Sequence, residues 1–91
     1  MDRDELRRRL RALGDSMHDR FTDDQASWFT EFMEVGEYGL ALESLADWLA
    51  EESLPISGAE LAEATSLGTA MGNAGRVTGP LRFCPVLPTT T

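Results

Sequence analysis

The chain has 91 residues, with sixteen acidic against eight basic, one Cys and one His, and a net charge of −8. That length gives one domain, which buries only about 60% of its unfolded surface and needs a compact core; the 42% apolar fraction supplies one. A single Cys forms no internal disulfide, one Cys with one His excludes a Cys₄ or Cys₂His₂ zinc site, and the sign of the charge opposes binding to nucleic acid or an anionic membrane.

The first element runs from about Asp2 to Leu13. Leu6, Leu10, Leu13 and Met17 recur at helical spacing. Asp4 precedes Arg8 by four, and Glu5 precedes Arg9 by four, the favourable order for ion pairs along one helix. Gly14 is expected to stop or kink this helix. Thr22-Asp23-Asp24-Gln25 is a capping box, and the helix behind it places Trp28, Phe29, Phe32 and Met33 on an apolar face until Gly36. Glu37 to about Ser53 has the strongest period. Tyr38, Ala41, Leu42, Leu45, Trp48 and Leu49 share one side, while Glu43, Asp47 and Glu51 form a carboxylate stripe on the other.

Pro55 makes Leu54-Pro55-Ile56 an extended connector. Ser57 and Glu60 form a second capping box, followed by a helix from about Gly58 to Met71 and a stop at Gly72-Asn73. From Gly75 onward three prolines argue against helix or central strand, so residues 75–91 are expected to be an extended or disordered tail on a helical domain of residues 1–74. The expected fold is all-α, a small bundle of about four short helices with an extended Pro-rich C-terminal tail. Met1-Asp2-Arg3-Asp4-Glu5 is charged and no apolar segment follows it, nor does any window reach the ~20 apolar residues of a membrane helix. The expected location is therefore cytoplasmic.

The charge is unevenly placed. Every basic residue is Arg, and none lies between Phe21 and Gly75, a stretch of 55 residues that carries eleven acids. A surface that serves only solubility interleaves both signs. Such a dense single-sign face steers and selects a partner of opposite charge. The expected partner-binding residues are Glu31, Glu34, Glu37, Glu43, Asp47 and Glu51, with Leu40 as an apolar anchor among them. The alternative for the same residues is an ordinary solvated helix face.

Other chemistry is weakly marked. The acidic stretch has no His for a di-metal site, and Asp15 to Asp24 lacks the ligand spacing of a Ca²⁺ loop, so neither metal nor cofactor is expected. His18, between Asp15 and Asp19, has no Ser or Cys nucleophile placed to join it, and nothing activates Cys84. No catalytic residue is expected. Leu13-Gly14-Asp15-Ser16-Met17 resembles the acyl-carrier attachment motif, but it is one residue short between Gly and Asp and falls too early in the chain.

Glu31-Phe32-Met33-Glu34, then Gly36-Glu37-Tyr38-Gly39-Leu40-Ala41-Leu42-Glu43, Leu45 and Trp48-Leu49, followed by Pro55-Ile56-Ser57 and Met71-Gly72, resemble the MafI family of immunity proteins from bacterial polymorphic-toxin systems. The likeness covers Thr30 to Gly72, about half the chain. It implies a small helical protein that binds a cognate toxin and neutralises it by stoichiometric contact, with no catalytic residue. The tail from Gly75 departs from the pattern. A toxin that is a nuclease has a cationic substrate groove, which an acidic face complements. The competing expectations are an acidic adaptor or regulatory module and, behind it, an acyl-carrier-like protein.

Overall fold

The structure, a computed structural model, describes residues 1–88. Five helices follow one another: α1 (Arg3–Ser16), α2 (Asp23–Glu34), α3 (Tyr38–Glu51), α4 (Gly58–Met71) and α5 (Ala74–Leu81). A 3₁₀ turn at His18–Arg20 joins α1 to α2. Two short strands, β1 (Ile56–Ser57) and β2 (Val86–Leu87), pair in parallel with Ile56 opposite Val86. The chain is an all-α bundle with this small clip at one end.

Local chemistry explains most helix boundaries. The Asp2 carboxylate accepts the Glu5 N–H at 2.8 Å and caps α1. Both capping boxes form: Thr22 and Gln25 exchange bonds of 3.0 and 3.1 Å, Ser57 and Glu60 bonds of 2.9 and 3.0 Å. Gly36 and Gly72 each take φ +78° just past α2 and α4, a conformation in which a Cβ is strained. The next residue's N–H then closes the last turn, Glu37 onto the Phe32 carbonyl and Asn73 onto the Gly68 carbonyl, both at 2.9 Å. Ser53 makes the same turn after α3 with φ +48°.

The apolar faces meet in one core. Leu10, Leu13 and Met17 of the α1 side, Phe29 and Met33 of α2, and Ala41, Leu42, Leu45, Ala46 and Leu49 of α3 are buried together with Ile56, Ala64 and Leu67. α3 is the hub: α2 packs on one side of it and α5 on another, while α1 rests on α4. Trp48 meets Phe21 edge-on, with ring centroids 5.7 Å apart, and covers the turn between α1 and α2.

Three expectations are corrected. The stretch after Asn73 is not an extended tail throughout: α5 packs on α3 and α4, and Val77, Leu81 and Cys84 are buried in the core. Pro80 is tolerated because it sits in the last turn of α5, where its missing N–H forfeits one intrahelical bond instead of breaking a long helix. The expected boundary between residues 74 and 75 therefore lies inside a helix; of the expected tail, residues 82–88 are non-helical, and residues 89–91 lie outside the described residues. Secondly, Gly14 does not stop α1, which continues to Ser16. Its role is close approach: a Cβ there would stand 2.5 Å from Cε2 of Phe29. Thirdly, Trp28 is not a core residue. It is 54% exposed and stacks on Phe32 at 5.9 Å.

Candidate protein-binding surface

The acidic stretch is less free of counter-ions than its sequence implies, because arginines from either side of it reach across the bundle. Arg9 of α1 forks onto Glu63 of α4, with Nε donating at 2.9 Å. Arg20 donates to Glu60 at 2.7 Å, and Arg76 of α5 lies 3.2 Å from Glu43. Burial raises the Glu60 carboxyl, but hydrogen bonds from Arg20, the Ser57 N–H and Ser16 outweigh it, and Glu60 titrates below the ordinary glutamate range. The Arg9 hydrogen bond holds Glu63 below that range as well, against a smaller opposing effect of burial. The ion pairs expected within α1 are absent: Arg9 turns to Glu63 instead of Glu5, and Asp4 and Arg8 form no pair.

Eight carboxylates of the stretch remain exposed and without an ion-pair partner among the described residues: Asp23, Asp24, Glu31, Glu34, Glu37, Asp47, Glu51 and Glu52. Asp23 and Asp24 sit in the first turn of α2, where the helix dipole favours them. Glu31 and Glu34 sit in its last turn, and Glu51 and Glu52 at the end of α3, where the dipole opposes them. Neither of those last turns contains a basic residue.

Four of the expected site residues are divided between two concave surfaces. Glu31 and Glu34 line a cleft of about 520 Å³ between the end of α1 and the length of α2, together with Asp15, His18, Phe21, Phe29 and Leu45. Asp47 and Glu51 line a second, shallower groove of about 450 Å³ between α3 and α5, beside Pro80, Arg82 and the exposed Phe83. The two share no lining residue. Glu43 belongs to neither. Its carboxylate accepts from Asn73 Nδ2 at 3.0 Å, pairs with Arg76 and is only 23% exposed, so it ties α3 to α5 and is not free for a partner. Glu37 is exposed just before α3 and makes no side-chain capping bond. Leu40 is 46% exposed on α3.

Asp15 and His18 line the same cleft as Glu31 and Glu34, a juxtaposition that depends on how α1 meets α2 and that the sequence, where Asp15 is legible as a neighbour of His18 and as part of the Gly14-Asp15-Ser16 segment, does not show. His18 is exposed, with Nδ1 3.9 Å from the Asp19 carboxylate. The Ser16 hydroxyl has one proton to share between the Leu13 carbonyl at 2.7 Å and Glu60 at 2.9 Å. Cys84 is buried, and loss of water pushes its thiol pKa up, away from the reactive thiolate.

Among the described residues no group of three His, Cys, Asp or Glu side chains converges as metal ligands, and no helix is long and apolar enough to cross a membrane. No family model, curated protein or solved structure matches the chain.

Proposed function

We propose that this is a stoichiometric binding protein that engages a basic protein surface, acting as an immunity protein that neutralises a cognate bacterial toxin in the cytoplasm of the producing cell. One observation carries the reading. Four carboxylates, Glu31, Glu34, Glu51 and Glu52, are exposed, unpaired among the described residues, and placed at helix C-terminal ends where each opposes the helix dipole. Acids that serve only solubility gain nothing from that position, and a cationic partner turns the same placement into attraction. Exposed apolar groups lie among them, Trp28 and Val35 on the α2 side and Leu40 on α3, and supply the contact area that charge alone does not. The resemblance of Thr30 to Gly72 to the MafI family supplies the class of partner. A nuclease toxin, with its cationic groove, is the target that the charge fits best.

The test is to purify the protein and mix it with the toxin encoded beside it, at low and at high salt. A one-to-one complex that weakens with salt is expected, together with rescue of toxin-expressing cells on co-expression. No complex at either ionic strength overturns the reading. A complex that forms but leaves the toxin fully active favours an adaptor over an inhibitor.

A further inference from the structure

The cleft between α1 and α2 differs from the α3–α5 groove in having carboxylates from two helices and no Arg or Lys in its lining, where the exposed His18 is the one nitrogen base. Asp15 stands on the α1 rim, and Glu31 and Glu34 stand on the α2 rim, all three exposed. Between them lie Phe29 and Leu45, both buried, and the half-buried Phe21. Ser27, Thr30, Glu31 and Glu34 share one side of α2, so that rim is about 10 Å long at ~1.5 Å per residue. The last turns of both α1 and α2 border the cleft and neither holds a basic residue, so the negative ends of two helix dipoles add to the charge of the three carboxylates. None of the three has an ion-pair partner among the described residues. They do not converge as metal ligands. An apolar floor between separated anionic rims fits a cation with a long apolar stem, which is the form of an arginine or lysine side chain.

We propose that this cleft seats one arginine or lysine side chain projecting from the partner's surface, its stem over Phe29 and Leu45 and its head between Asp15 and the Glu31–Glu34 rim. The proposal rests on the reading of the molecule as an acidic binding protein and places the anchor of the complex on α1 and α2 instead of the α3 stripe.

An amide-resolved NMR titration of the intact protein with an N-acetylated, C-amidated Gly-Arg-Gly tripeptide tests the cleft without the partner. The same tripeptide with citrulline, a neutral isostere of arginine, is the comparison. Shifts are expected to concentrate at Gly14, Asp15 and Glu31 to Glu34 and to be absent with citrulline. A Glu31→Gln, Glu34→Gln double variant, which removes only exposed charge, is expected to weaken the arginine peptide roughly three- to tenfold. Equal shifts around Asp47 and Glu51, or equal shifts with citrulline, overturn the proposal. With the toxin itself, the Glu31→Gln, Glu34→Gln variant is expected to lose more affinity than an Asp47→Asn, Glu51→Gln variant. The opposite order overturns the cleft as anchor and leaves the binding reading standing. If the toxin forms no complex at all, that reading falls, and the peptide titration still decides whether the cleft takes a basic side chain.

Discussion

Gly14 fixes the approach of α1 to α2, and with it the shape of the cleft. The Phe29 ring lies where a side chain at position 14 would begin. Gly14→Ala would gain up to about 1 kcal/mol in helix propensity. Against that, the added methyl forces a buried ring off its position, an overpacking cost of about 1–3 kcal/mol. The steric effect wins because Phe29 is enclosed by the core and the backbone of α1 cannot yield without moving Leu13 and Met17, which are also buried. A net loss of about 1 kcal/mol is expected in denaturant unfolding. Phe29→Leu in the Gly14→Ala background is expected to cost less than Phe29→Leu alone, since the clash has been removed. An unchanged or raised midpoint for Gly14→Ala would show that Phe29 moves aside freely. This role was not legible in the sequence, where a glycine near a helix end reads as a stop. Trp28 reads as a core residue in the sequence for a related reason. Trp28 and Phe32 share one side of α2, Phe29 and Met33 an adjacent one, and together the four span more of the helix than the bundle covers. Only contact with α1 and α3 decides that Phe29 and Met33 are the buried pair.

At the scale of elements, Glu60 has two roles. It closes the capping box of α4 through the Ser57 N–H and anchors Arg20, so it pins the start of α4 to the turn between α1 and α2. Its folded-state pKa lies below the ordinary carboxyl value of 4.5. A carboxylate depressed in this way contributes stability in full above that ordinary value and loses it as pH falls through the folded value. Glu63 acts in the same sense through Arg9. Glu60→Gln keeps an amide oxygen for the capping bond but removes the charge. The variant is expected to be less stable by about 1 kcal/mol at pH 7, allowing for partial exposure of the pair. The gap to the parent protein should close as pH drops below 4.5. Parallel acid limbs for the two proteins would sink the idea that Glu60 carries this linkage. The two capping boxes were legible because each is contained in four consecutive residues. The Arg20–Glu60 and Arg9–Glu63 pairs were not, because their partners lie 40 and 54 residues apart. α5 was hidden for a third reason. Gly75, Gly79 and Pro80 give it poor intrinsic propensity, and it is held by the packing of Val77 and Leu81 on α3 and α4.

For the whole molecule, the three Arg–Glu pairs between elements work against the mutual repulsion of the unpaired carboxylates on α2 and α3. Ionic strength separates the two effects. The molecule measures 33 × 28 × 24 Å. At 0.01 M salt the screening length is about 30 Å, so every exposed acid acts on every other; at 0.15 M it is about 8 Å, and only neighbours interact. The pairs at Glu60 and Glu63 are partly buried and in direct contact, so salt weakens them less. Stability at pH 7 is therefore expected to rise between these two salt concentrations, by a few tenths of a kcal/mol up to about 1 kcal/mol. Glu31→Gln with Glu34→Gln should give a similar gain at low salt, since it removes charge from the wrong end of α2, and most of that gain should vanish at 0.15 M. Thermal unfolding of both proteins at the two concentrations measures this directly. If the parent protein instead loses stability as salt is added, the ion pairs dominate and the acidic surface is not a strain on the fold. The helix-end carboxylates would then need no functional explanation, and the central support for a cationic partner would be gone. A rise with salt, removed by the double substitution, would mark these carboxylates as groups kept despite their effect on stability.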